Sequence, residues 1–173
     1  LEDVEVGVNY VIILNTNAGL WGYNIGDTIK FVSINPYRII VSGRIKHFTS
    51  AFGEHVIAEE VEKSLKETIE TLTSEVNEFH VAPQVNPVEG LPYHEWLIEF
   101  EKEPEDLNQF GVEMDKTLQK YNSYYKDLIT GGILNTLKIT PISKNGFREY
   151  MKSIGKLGGQ NKVPRLANDR KIA

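Results

Sequence analysis

Gly22-Tyr23-Asn24-Ile25-Gly26-Asp27, Ser42-Gly43-Arg44-Ile45-Lys46 and Gly53-Glu54-His55-Val56-Ile57-Ala58-Glu59-Glu60-Val61 follow one another in this chain. The first segment sets a carboxylate directly after a glycine, at the start of a predicted strand. The second leaves a strand through a glycine and a flexible charged stretch, a composition that suits a hinge. The third is a loop that opens a helix, with Gly53 free to adopt a backbone angle closed to other residues. Read in order, they divide the chain into a strand-built unit over residues 1–43, a hinge over 44–47 and a second unit over 48–173.

The elements around these segments support that division. Tyr10–Asn15, Thr28–Ser33 and Arg38–Ser42 are β-branched or alternating runs separated by turn residues, which predicts a small antiparallel unit. Ile57–Val76 carries Val61, Leu65, Ile69, Leu72 and Val76 at spacings of three and four, which predicts a long amphipathic helix. Glu62 and Lys66 form a favourable pair on it. Two strands follow at Glu78–Val85 and Tyr93–Glu101, the second with Trp96, Ile98 and Phe100 on one face. Helices are expected over Glu105–Asn122, Ser123–Thr130 and Asn145–Ile154. A strand is expected over Leu134–Ile142, at a sheet edge or end because of Pro141. Gly155–Ala173 has no periodicity and reads as a tail or functional loop. The fold class is α+β: a small antiparallel β unit followed by a domain of mixed β-sheet covered by helices.

Composition narrows the function. The 173 residues, 40% hydrophobic and 25% charged, are ordinary for a globular chain. The absence of cysteine excludes disulfides, thiolate metal sites and a cysteine nucleophile, and fits a reducing, cytoplasmic setting. No apolar run approaches the length of a membrane span, and the N-terminus does not read as a secretory signal. Leu1, rather than Met, stands first, so a processed or cut start is expected. His80 and His94 lie in strands without a paired ligand at metal spacing, so no metal site is expected.

The net charge of −5 conceals an asymmetry. Residues 144–173 hold eight Lys and Arg against Glu149 and Asp169, a net of +6 that leaves −11 for the rest. A basic tail on an acidic body suits contact with an anion. Within it, Gly158-Gly159-Gln160-Asn161-Lys162-Val163-Pro164-Arg165 combines a mobile start with a stiffened, cationic end. Asp27 in turn offers the bidentate anionic acceptor that ribose hydroxyls require. Without a partner of this kind, each segment reads as an ordinary turn, a solvated loop or a frayed tail.

Taken together, the order and spacing of these segments resemble the GH3 family of acyl-acid amido synthetases, known from plant auxin-responsive enzymes and from bacteria, within the acyl-adenylate superfamily. The resemblance covers nearly the whole chain, as the C-terminal portion of such an enzyme. Tyr23-Asn24-Ile25-Gly26-Asp27 resembles the family's Tyr-Arg-Val-Gly-Asp motif, which implies that Tyr23 and Asp27 belong to the ATP site and that Asp27 holds the ribose. Arg44 resembles the arginine near the domain junction, which implies that it too belongs to the ATP site. Gln160-Asn161-Lys162-Val163-Pro164-Arg165 resembles Gln-Tyr-Lys-Thr-Pro-Arg, which implies that Lys162 reaches the α-phosphate region as the catalytic lysine. Gly43, Arg44 and Lys46 become the hinge of a lid, and Gly53, Glu54 and His55 its loop for the second half-reaction. Asn24 departs from the family's Arg, and Glu54-His55-Val56-Ile57-Ala58 from the plant Asp-Lys-Thr-x-Glu.

The resemblance implies ATP and Mg2+, bound mainly by an upstream N-terminal lobe, with a small carboxylic acid and an amine or amino acid as substrates. The Gly-rich phosphate loop and acyl pocket of such enzymes are not among these residues, so the chain alone is expected to be inactive, with self-association of its open strands. The alternative is a stand-alone interaction module whose basic tail docks on an acidic partner. Nucleic acid is not expected as a partner, because the body is acidic and lacks an aromatic–basic stripe. No membrane partner is expected either.

Overall fold

The computed structural model describes residues 2–44, 48–158 and 161–173, with Arg44 and Phe48 described by their backbone alone. They fall into two compact units, Leu1–His47 and Phe48–Ala173. Of the expected hinge, Ile45, Lys46 and His47 lie outside the described residues.

In the first unit, β1 (Asn9–Leu14), β2 (Tyr23–Ile34) and β3 (Tyr37–Arg44) form an antiparallel sheet in the order β1-β2-β3. A cis Asn35–Pro36 bond lies in the turn between β2 and β3. Buried Phe31 meets the edges of Tyr10 and Tyr37, with ring centroids 5.7 and 5.9 Å away. Strand β2 begins five residues earlier than Thr28, so Asp27 lies within a strand and not at its start. The reason is an irregularity in register. Val11 faces Thr28 but Ile13 faces Asn24, so Ile25, Gly26 and Asp27 together oppose a single residue of β1. Gly26 makes this bulge with a φ of 82°, in the left-handed region that glycine enters without strain.

In the second unit, β4 (Phe48–Thr49) and β5 (Val56–Ile57) pair as a short hairpin and lead into α1 (Ala58–Leu72). The sheet is β6 (Glu75–Gln84), β7 (Tyr93–Lys102) and β8 (Lys138–Ile142), in that order. Strands β6 and β7 are antiparallel, and β7 and β8 parallel. Pro141 therefore stands on an edge strand, where its missing N–H costs least. Helices α2 (Leu107–Tyr121) and α3 (Ser123–Thr130) separate β7 from β8, and α4 (Gly146–Ser153) follows β8.

Both faces of this sheet are covered, which makes the unit α+β with a mixed sheet between helical layers. On one face Phe79, Val81, Trp96, Ile98 and Phe100 pack against Val61 and Leu65 of α1 and Phe110, Met114 and Leu118 of α2. On the other, Leu97 packs with Phe147 and Met151 of α4 and with Val163.

Several boundaries and one side-chain pair differ from the sequence reading. Helix α1 ends at Leu72, because Thr73 turns left-handed with its N–H on the Ile69 carbonyl; Val76 continues the helical spacing by coincidence and belongs to β6. Helix α2 starts after Asp106, which is its cap, accepting from the N–H groups of Asn108 and Gln109. Strand β8 starts at Lys138; the residues before it are irregular, with the Leu137 N–H donated to Asp115 Oδ1 at 3.0 Å. Glu62 faces Arg165 at 3.8 Å, and Lys66 faces Glu70 at 3.9 Å, in place of the expected Glu62–Lys66 pair.

The last stretch is no frayed tail. Leu166 is buried and bridges to Val81, whose N–H donates to the Arg165 carbonyl at 2.9 Å and whose carbonyl accepts from Ala167 at 3.0 Å. Residues 165–167 thus line the outer edge of β6 at Val81.

Candidate functional site

Three segments carry the residues singled out from the sequence. In the first unit, the β2 bulge holds Asp27, whose position faces Arg44 across the β2–β3 register, with Thr28 facing Gly43. Bulges re-aim side chains relative to the regular pleat. Asn24 shapes this one, since its side-chain oxygen accepts the Gly26 N–H at 2.8 Å. Tyr23 is exposed at the head of the strand. Nothing lies within 4 Å of where a Cβ on Gly26 would stand, so the bulge is open on that side.

In the second unit, the loop between β4 and β5 holds Gly53, Glu54 and His55. Gly53 and His55 both have positive φ, 90° and 47°. Glu54 is fully buried between them. One carboxylate oxygen accepts from His94 Nε2 at 2.8 Å and the other from the Phe52 N–H at 2.8 Å. Burial pushes the Glu54 carboxyl up. The His94 hydrogen bond and charge, with backbone N–H groups, outweigh burial and hold it below its ordinary value. Glu54 is therefore an anchor turned into the core, and it does not face solvent as a loop acid would. The His94 ring lies between Phe52 and Tyr125, at centroid distances of 6.1 and 5.3 Å.

Lys162 lies on the other side of the sheet. It is exposed and lines a groove of about 260 Å³ together with Arg148, Lys156, Glu78, Glu99 and Met151. Three cations line it beside the two carboxylates, of which Glu78 is already bonded to Arg165, a set able to meet an anion. Beyond Lys162 the chain is fixed. Val163 is buried, the Pro164 carbonyl accepts from His80 Nδ1 at 2.7 Å, and Arg165 is hydrogen-bonded to Glu78 with its guanidinium 4.4 Å from the centre of the Phe79 ring. Arg170 pairs with Glu95, Lys171 with Asp169 and Lys144 with Glu101. Much of the basic segment's charge is thus spent within the unit, and it is not a free cationic arm.

Lys162 and the Gly53–His55 loop therefore sit on opposite faces of one sheet. Glu54 joins the face of Trp96 and Ile98; Lys162 joins that of Leu97 and Glu99. Gly159 and Gln160 of the Lys162 loop, and Lys46 of the hinge, lie outside the described residues. No three metal-binding side chains cluster among the described residues. A second hollow of about 470 Å³ between α2 and β8 holds none of the residues named from the sequence.

Sequence reasoning missed the parts played by His80, His94 and Asn24. The two histidines meet partners 84 and 40 positions away, which no local spacing can reveal.

Comparison with known proteins bears on the whole arrangement. Residues 59–171 match the family model of the GH3 family C-terminal domain, and residues 1–44 that of the GH3 family central domain. Among solved structures, a GH3.15 acyl acid amido synthetase aligns at a TM-score of 0.73 and 19% identity, over 98% of this chain and 33% of its own. AtGH3.15 acyl acid amido synthetase in complex with 2,4-DB aligns at 0.73 and 18%, over 98% and 32%. A 2-hydroxyisobutyryl-CoA ligase in the postadenylation state with R3-HIB-AMP aligns at 0.55 and 15%, over 98% and 34%. The chain spans about a third of the length of these structures. No curated protein matches it.

Proposed function

Because the chain belongs to the GH3 family, we propose that it is the C-terminal part of an ATP-dependent acyl-adenylating ligase that activates a small carboxylic acid and conjugates it to an amine, an amino acid in our reading. Residues 1–43 are then the last strands of the large lobe, residues 44–47 the hinge, and residues 48–173 the lid. The observation that carries this reading is the placement of Lys162: an exposed lysine in a cationic groove, on a loop whose downstream end is locked to the sheet.

In the first half-reaction, a carboxylate oxygen of the acid attacks the α-phosphorus of ATP. The bond from that phosphorus to the bridging oxygen breaks, and pyrophosphate leaves with the electron pair. Negative charge builds on the phosphoryl oxygens, and Lys162 stabilises it. Asp27 accepts hydrogen bonds from the ribose hydroxyls, Tyr23 lines the same site, and Arg44 supports the junction. In the second half-reaction, the amine lone pair attacks the acyl carbon. The carbon–oxygen bond to AMP breaks, AMP leaves with the pair, and the amine proton passes to solvent. A turn about Gly43, Arg44 and Lys46 exchanges the two lid faces, withdrawing Lys162 and presenting Gly53, Glu54 and His55. Mg2+, which would screen the polyphosphate, is held in this reading mainly by the upstream lobe.

The test is acid-dependent ATP–pyrophosphate exchange by the full-length protein that contains this chain, with a panel of carboxylic acids. Exchange that falls at least 100-fold in Lys162→Ala, a loss on the scale of one transition-state charge contact, is the expected result. Absence of exchange with every acid would sink the reading. This chain by itself is expected to give none.

A further inference from the structure

Two buried histidines stand on one β-hairpin and face opposite sides of the sheet. His80, on β6, shares the face of Leu97, and its Nδ1 lies 2.7 Å from the Pro164 carbonyl oxygen. A carbonyl only accepts, so Nδ1 carries the proton. His94, on β7, shares the face of Trp96, and its Nε2 lies 2.8 Å from Glu54 Oε1. The Glu54 carboxyl is held below its ordinary value, so it is the acceptor and His94 Nε2 carries the proton. The second nitrogen of each ring, Nε2 of His80 and Nδ1 of His94, is buried with no partner among the described residues. A proton there would be left without an acceptor, a costly arrangement. Each ring is therefore fixed in orientation, His80 through its Nδ1–H and His94 through its Nε2–H.

An apolar side chain would fill either place without a buried polar atom. Each ring instead gives one N–H to one loop. His80 grips the chain two residues beyond Lys162, while Val163 between them is buried. Upstream, Asn161 Nδ2 reaches the Gly158 carbonyl at 3.3 Å. The reach of the Lys162 side chain is thus set from its downstream end, by β6. His94 grips Glu54, whose other oxygen holds the Phe52 N–H, so the positive-φ turn at Gly53 and His55 is pinned to β7 at its centre.

We propose that His80 and His94 are positioning residues for different half-reactions: His80 sets the Lys162 loop for adenylation, and His94, through Glu54, sets the 50–55 loop for attack by the amine. The proposal rests on the adenylation reading above. Neither ring touches reacting atoms. The hairpin β6–β7 then serves as a common frame, so that each face of the lid keeps its own loop in shape while the other is in use.

The experiment uses the full-length protein and two rates: acid-dependent ATP–pyrophosphate exchange, and single-turnover amide formation when amine is added to preformed enzyme-bound acyl-adenylate. Each histidine is replaced by Leu, Asn and Gln. Asn places an amide donor near the Nδ1 position, and Gln near Nε2. Expected for His80→Leu is a loss of exchange at least tenfold greater than its loss of amide formation, with recovery in His80→Asn and not in His80→Gln. Expected for His94→Leu is the opposite imbalance, with recovery in His94→Gln and not in His94→Asn. Should a Leu variant fail to fold, the Asn and Gln variants carry the same contrast. Equal losses in both rates, or no preference between Asn and Gln at either site, would overturn the proposal and leave both rings as core residues. A wild-type protein with no exchange would instead remove the reading beneath it, before any histidine is changed.

Discussion

At the scale of single residues, the second unit relies on buried polar groups that bind partners in other elements, although Ser74 Oγ, Trp96 Nε1 and the second nitrogens of His80 and His94 have none among the described residues. Asp115 shows what this costs to disturb. Its carboxylate, on the buried side of α2, accepts from Tyr125 Oη at 2.6 Å, the Leu137 N–H at 3.0 Å and Gln119 Nε2 at 2.6 Å. Burial, with the Asp115 charge beside it, pushes the Tyr125 hydroxyl well above its ordinary pKa, so it remains a donor. Tyr125→Phe removes one donor and leaves the carboxylate short. Urea denaturation of the second unit should show a loss of about 1–3 kcal/mol; an unchanged midpoint would mean that water replaces the hydroxyl. None of this network could be read locally. Tyr125 and Asp115 sit in different helices, and Leu137 lies in what reads as a strand. Asp27 and Lys162, by contrast, were singled out because each stands in a short ordered motif, whereas the bulge that carries Asp27 was not visible, since it depends on the register with β1.

At the scale of elements, legibility followed periodicity. Helix α3 and strand β7 emerged almost to the residue; the alternating Trp96–Ile98–Phe100 face marks the strand, whereas the helix is capped by Asn122, which the sequence reading places at the end of the helix before it. Helix α1 ran too long, since the first apolar residue of β6 happened to continue its stripe. The segment after α4 read as a tail because its order comes from pairing with β6, which leaves no period in the sequence. That segment should respond to pH. Burial, which Arg170 reinforces, holds the His80 imidazole below its ordinary pKa; the Pro164 carbonyl and Asp169 pull the other way and do not offset it. The unfolded chain therefore binds the proton more readily. The stability gained is complete above about pH 6.5, the value for an unperturbed histidine, and declines as pH falls below it. Glu54 and Glu95, held below their ordinary values, contribute a separate loss that begins only below about pH 4.3. Urea midpoints measured from pH 7.5 to 5 should fall for the wild type and fall less for His80→Asn, while parallel curves would assign the acid response to other groups.

At the scale of the whole molecule, the two units differ in how complete they are. The second has a core on each face of its sheet. The first buries little beyond Ile29 and Phe31, and leaves Trp21 82% and Val41 70% exposed with β1 and β3 as open edges. Such a surface invites association, so sedimentation of this chain alone should show dimers or larger species that grow with concentration; a monomer at every concentration would contradict this. The closure of β6 by residues 165–167 has a further consequence, in time. His80 and the Pro164 carbonyl that it holds are 84 positions apart. At a synthesis rate of about 5–20 residues per second, the edge of β6 leaves the ribosome roughly 4–17 s before the segment that seals it. During that interval the nascent sheet has nothing of its own to occupy that edge, so a premature stop shortly before Val163 would make the exposure permanent.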